Sequence, residues 1–242
     1  MSSQRLILLS GWGVDQRVWQ PLKAHWPASL TPQAIDWPGY GEMPALAADA
    51  SFAQLAEAMT KPLASDAIWV GWSLGGLLAT ALLKYLPPPR GLILLGAGDT
   101  FCTPDGITGH ELSTFQGAFK RSPAATWQSF LRRQTQGEPS PRQAYRQLRD
   151  LLGDTLPADS TTLATGLHWL ATIDNRPRLR AASCPVIRLS GEHDPFIGAA
   201  QRLASDNISN VGHCPMLSQP QALAALISRH ADQMTNPSRE VL

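Results

Sequence analysis

The chain has 242 residues, the size of one large α/β domain, and an apolar content of 43% is enough to fill a sizeable core. Charged residues make up only 16%, which argues against a disordered or coiled-coil chain. A net charge of +1 argues against a protein built as a whole to grip nucleic acid.

The N-terminal apolar stretch, residues 6–9, is too short for a signal peptide, and no later run approaches a membrane span. Three widely spaced cysteines, Cys102, Cys184 and Cys214, do not make a disulfide framework, so a soluble cytoplasmic protein with free thiols is expected. Residues 6–9 read as a buried parallel strand opening onto the loop Ser10-Gly11-Trp12-Gly13. Ile35-Asp36 ends a second strand before the turn-rich Trp37-Pro38-Gly39-Tyr40-Gly41. Ser51 can cap a helix whose apolar face carries Phe52, Leu55, Ala56, Met59 and Leu63. A third strand over 67–70 runs into Gly71, and a helix follows over 74–85 until Pro87-Pro88-Pro89 stops it. Residues 91–95, 185–189 and 207–211 predict the fourth, fifth and a short sixth strand, and 220–230 a closing helix.

Strands alternating with helices imply a parallel sheet, whose ligands sit beyond the carboxyl ends of the strands. Residues 100–172 break the alternation, with helical stretches at 126–134 and 141–152. They read as a helical cap inserted into a core made of residues 1–99 and 173–242.

The strongest motif is Gly71-Trp72-Ser73-Leu74-Gly75, a G-x-S-x-G between a predicted strand and a predicted helix. That turn exposes a serine hydroxyl, and only small residues fit two positions before and after it. Serine needs a base, and His213, after the last predicted strand, is the best candidate. His25 and His230 fall on helices, His110 and His168 in the insertion, and His193 adjoins the acid. Asp194, just past the fifth strand, is the candidate acid, giving the order Ser73, Asp194, His213. A helix cap after Pro195 is the plainer role for Asp194, and Asp36 and Asp99 are weaker rivals. The backbone N–H groups of Trp12 and Leu74 can form an oxyanion hole. His193, His213 and Cys214 lack the paired spacing of a metal site, and no dinucleotide fingerprint follows a strand, so no cofactor is expected.

These blocks resemble the α/β-hydrolase superfamily. The segments 8–13, 36–41 and 68–77 further resemble the pimeloyl-[acyl-carrier protein] methyl ester esterases of biotin synthesis. The resemblance implies an α/β-hydrolase fold with an inserted cap, an ester-hydrolysing Ser73–His213–Asp194 triad and an oxyanion hole at Trp12 and Leu74. It implies that Trp12, Trp72 and Phe130 line the acyl site, and that Arg142 and Arg146 contact an acyl carrier protein. Ser10 stands where many members have histidine, which predicts a looser oxyanion loop. The chain begins at the strand feeding that loop, so about six strands are expected. His213 lies only 19 positions after Asp194, so the unit between them must be compact.

Seven basic residues lie between positions 120 and 149 (Lys120, Arg121, Arg132, Arg133, Arg142, Arg146 and Arg149), against the single acid Glu138. The rest of the chain then holds 13 basic and 18 acidic residues, so the bias belongs to the insertion. Arg142, Arg146 and Arg149 share one helical face and suit an acidic docking partner. A monomer is expected. The alternatives are an esterase, thioesterase or lactonase acting on small free acyl esters, and a non-enzymatic ligand-binding module.

Overall fold

The central apolar runs become strands because they are covered on both faces. Leu6, Ile7 and Leu9 have no exposed surface, and every residue of the third and fourth strands is buried. In the computed structural model, which describes residues 3–235, six strands form one parallel sheet. They are β1 (Gln4–Leu9), β2 (Leu30–Ile35), β3 (Ile68–Trp72), β4 (Gly91–Leu95), β5 (Val186–Gly191) and β6 (Asp206–Ile208). Their order across the sheet is β2-β1-β3-β4-β5-β6, so β1 and β3 are neighbours, paired Leu6 to Ile68 through Leu9 to Gly71.

Helix α1 (Phe52–Met59) starts at a reciprocal cap, in which Ser51 accepts from Gln54 N and the Gln54 side chain accepts from Ser51 N. Leu63 lies beyond the helix yet remains buried. Helix α2 (Leu74–Leu82) is buried along its whole length. It ends three residues before Tyr85 because Leu83 N and Tyr85 N donate to Thr80 O and Leu82 O, tightening the chain ahead of the prolines. A 3-10 segment, Gln16–His25, follows the first loop and was not marked by any apolar period.

Four helices fill the expected insertion, residues 100–172: α3 (Gly109–Arg121), α4 (Pro123–Gln134), α5 (Pro141–Leu152) and α6 (Ser160–Thr172). The sequence signalled α4 and α5 but not α3 or α6. Helices α7 (Arg176–Arg180), α8 (Ala199–Leu203), α9 (Pro215–Ser218) and α10 (Pro220–Thr235) complete the chain. The unit between Asp194 and His213 is compact, as it must be: α8 has five residues and β6 three. Strand β6 stops at Ile208 rather than Val211 because Asn210 turns the chain at φ 57°, in the left-handed region. No helix in the described residues is long and apolar enough to cross a membrane.

Candidate active site

The turn between β3 and α2 forces Ser73 into a conformation that L-residues seldom occupy, φ 54° and ψ −125°. Backbone hydrogen bonds on both sides hold it there. Ser73 N donates to Leu95 O at 2.9 Å, and Ser73 O accepts from Gly76 N and Leu77 N at 3.0 and 3.2 Å. The helix can start this tightly against β1 only because residue 75 has no side chain: a Cβ there would lie 2.6 Å from the carbonyl oxygens of Leu9 and Ser10. The opposite loop approaches as closely, since a Cβ on Gly11 would meet Ser73 Cβ at 2.9 Å.

His213 follows the loop after β6 and is 1% exposed. Its Nδ1 lies 2.7 Å from Asp194 Oδ2. A carboxylate only accepts, so Nδ1 carries the hydrogen and Nε2 presents a lone pair. Nε2 is buried and makes no hydrogen bond among the described residues. Asp194 is itself fixed, because Oδ1 accepts from Phe196 N at 2.9 Å in a side-chain turn. No helix starts directly after Pro195; α8 begins only at Ala199 with Gly198 as its cap, so helix capping is not what Asp194 does.

Trp72, the residue before Ser73, donates its indole N–H to His213 O at 2.8 Å, and the two rings lie 5.2 Å apart. The loops carrying Ser73, Asp194 and His213 are therefore in contact at one mouth. Ser73 Oγ and His213 Nε2 are not hydrogen-bonded to each other in this state, a contact that active sites often close only around substrate. The rival acids are engaged elsewhere. Gln16 donates to both oxygens of Asp36, at 2.7 and 2.8 Å, and Asp99 is paired with Arg188. His230 lies 3.0 Å from Asp206, while His25, His110, His168 and His193 are exposed. No group of three His, Cys, Asp or Glu side chains among the described residues is placed to hold a metal ion.

Gly11, next to Trp12, and Ser73, next to Leu74, approach each other closely, so the Trp12 and Leu74 N–H groups belong to the two segments that meet at the serine. The first loop is pinned rather than loose despite Ser10. Trp37 donates its indole N–H to Ser10 O at 3.0 Å, Trp127 donates to Gly13 O at 2.7 Å, and Gly13 N donates to the Tyr40 hydroxyl at 3.3 Å. Burial pushes the Tyr40 phenol upward, so it stays neutral.

Helices α3 and α4 lay aromatic rings over this loop. The Trp12 ring meets Phe115 and Phe119 edge-on at 5.6 Å and Phe130 at 4.9 Å. Phe196 stacks on Phe130 at 5.6 Å and meets the His213 ring edge-on at 4.7 Å. Phe196 was missed in the sequence, although it stands two residues after Asp194. Trp72 is wholly buried, packed at 6.4 Å against Trp19. On α5, Arg142 and Arg146 are exposed and have no ionic partner among the described residues. Arg149 differs: it pairs with Asp154 and donates to the Tyr145 hydroxyl at 3.2 Å. Cys214 is buried, and its thiol donates to Gln134 O at 3.2 Å. Burial pushes that thiol well above its usual range, with the Glu138 and Asp194 carboxylates adding to the effect, so it is unsuited to nucleophilic chemistry.

A model of the alpha/beta hydrolase family matches residues 6–226. A pimeloyl-[acyl-carrier protein] methyl ester esterase from Shewanella sp. (strain MR-7) is 32% identical over 238 residues, covering 92% of this chain and 89% of its own. The protein of that name from Shewanella woodyi is 32% identical, covering 95% of this chain and 90% of its own. Among solved structures, an esterase from Exiguobacterium antarcticum superimposes with a TM-score of 0.77 at 19% identity, over 96% of this chain and 92% of that one, a likeness of fold.

Proposed function

The chain belongs to the alpha/beta hydrolase family and is a carboxylic ester hydrolase, and from that premise we propose that it removes the methyl group from a pimeloyl methyl ester carried on an acyl carrier protein. The observation that carries the chemistry is the 2.7 Å contact between His213 and Asp194 beside the strained Ser73 turn. Ser73 Oγ attacks the ester carbonyl while His213 Nε2 takes its proton. Asp194 keeps the hydrogen on Nδ1 and stabilises the imidazolium. The oxyanion rests on the N–H groups of Trp12 and Leu74, each contributing about 3 kcal/mol. The imidazolium then protonates the departing methoxide, which leaves as methanol. Water, giving its proton to Nε2, attacks the acyl-Ser73 ester, and the second tetrahedral intermediate collapses to a free carboxylate and Ser73 hydroxyl.

In this reading residues 1–99 and 173–242 form the hydrolase core and residues 100–172 the cap, with Trp12, Trp72 and Phe130 around the acyl chain. The choice of substrate draws on the names of the two relatives and on α5, where Arg142 and Arg146 stand exposed toward a partner. An acyl carrier protein, acidic as this family's partner is expected to be, complements them. The test is methanol release from the carrier-bound ester by the purified protein, with Ser73→Ala as control. Release that requires Ser73 supports the reading. Turnover of p-nitrophenyl butyrate with no methanol from the carrier-bound ester leaves the esterase and removes this substrate, in favour of small free acyl esters.

A further inference from the structure

Glu138 is the single acid in a basic stretch of the insertion, yet it is only 4% exposed. A buried carboxylate is costly unless donors surround it. Here the donors come from the His213 loop. Glu138 Oε1 accepts from Cys214 N at 2.7 Å, Oε2 accepts from the Ser218 hydroxyl, and Gly212 N–H also favours the charged carboxylate. The backbone on both sides of His213 is thus gripped by one side chain from the insertion. The turn around it fits as tightly: a Cβ on Gly212 would lie 2.4 Å from Gln136 O, and one on Gly137 would lie 2.2 Å from His193 O. That turn is wedged between the loop bearing the acid and the loop bearing the base.

We infer that Glu138 is a positioning residue: it clamps the His213 loop to the insertion and places a second negative charge beside the imidazole, in addition to Asp194. This rests on the reading of His213 as the general base. The titratable groups around Glu138 are His213 and Cys214 on the clamped loop, and Asp194 with His193 on the loop after β5. Burial raises the Glu138 carboxyl above its ordinary value, while the Ser218 and Cys214 donors and the His213 charge pull it back down.

The test is the pH profile of kcat/KM for p-nitrophenyl butyrate in Glu138→Gln and Ser218→Ala, with thermal melts to score folding. Glu138→Gln removes the charge, so the imidazole loses a stabilising neighbour. Its acid limb moves to lower pH, and kcat falls about tenfold with KM little changed, because the base is held less well. Ser218→Ala removes a donor but keeps the charge beside the imidazole, so its acid limb stays near wild type while kcat falls, because one arm of the clamp is gone. A lowered limb in Glu138→Gln with an unmoved one in Ser218→Ala supports the clamp. Wild-type kcat and an unmoved limb in Glu138→Gln would overturn it. If that variant does not fold, wild-type kcat in Ser218→Ala overturns it alone. His213→Ala separates the two readings: a fully active His213→Ala removes the base assignment, whereas an inactive one with normal Glu138→Gln removes only the clamp.

Discussion

Trp12 and Trp127 donate their indole N–H groups in opposite directions across one seam. Trp12, on the first loop, reaches Leu163 O in α6, and Trp127, in α4, reaches Gly13 O in that loop, each at 2.7 Å. The insertion and the loop that offers the Trp12 N–H are therefore locked by two buried hydrogen bonds, inside a cluster of Phe115, Phe119 and Phe130. Trp127→Phe keeps most of the ring and loses one donor, leaving Gly13 O unsatisfied at a cost of about 1–3 kcal/mol. Steady-state kinetics should show kcat lowered about tenfold with KM little changed, because the proposed oxyanion donor has been set loose rather than a substrate contact removed. An unchanged kcat in a folded variant would mean that the loop does not need this lock.

Asp194→Asn tests the tautomer argument. The asparagine amide can face Nδ1 with a donor, which puts the imidazole hydrogen on Nε2, where the base needs a lone pair. Removing this carboxylate should lower kcat by about 10⁴-fold while the melting temperature changes little, since the side chain keeps its shape. Full activity in the asparagine variant would return the acid role to another residue.

What the sequence revealed and what it hid divide along physical lines. Strands β1, β3 and β4 were legible because each carries a continuous apolar run, and the Ser73 turn because its steric demands leave a mark: position 75 faces two carbonyl oxygens. Gly75→Ala should accordingly fail to give a cooperative melt near wild type. The contact of Asp194 with His213 was legible through strand ends alone. Helix α3 buries only Leu112 and Phe119, so its apolar period is faint, and the marks that could have placed α3 and α6, the Thr108-x-x-Glu111 capping box and the Asp159 cap, were missed. Trp127 and Glu138 were hidden for another reason. Their partners are backbone atoms 114 and 76 positions away, and no local pattern encodes a side chain reaching a distant carbonyl or N–H.

The raised Glu138 carboxyl has a consequence for stability. A folded-state value above the unfolded one means that the native protein keeps the proton to higher pH than the unfolded chain. Its contribution is therefore most favourable at or below the ordinary carboxylate range and is lost as pH rises through the raised value. Glu138→Gln cannot titrate. The melting temperature of that variant minus that of wild type should grow more positive between about pH 4 and about pH 7, read by calorimetry. The same clamp proposed to help His213 would then burden the fold. A difference that stays flat with pH would mean that Glu138 titrates alike in both states.

Charge on α5 gives the sharpest test of the partner. Ala144, Leu148 and Leu152 face the core, whereas Arg142 and Arg146, one turn apart, are exposed and unpaired among the described residues. Exposed charges of this kind add little to folding but can steer a partner of opposite charge. Arg142→Glu combined with Arg146→Glu should leave the melting temperature near wild type. It should lower kcat/KM for the carrier-bound ester by about tenfold at low salt, measured against p-nitrophenyl butyrate as the internal reference. Raising salt from about 0.01 M to about 0.15 M shortens the screening length from about 30 Å to about 8 Å, so wild type should lose rate toward the carrier-bound ester while the double variant barely responds. Arg149 is expected to behave otherwise: it is committed to Asp154 and Tyr145, so Arg149→Ala should lower the melting temperature more than it changes docking. Equal salt dependence in wild type and the double variant would place the docking surface elsewhere.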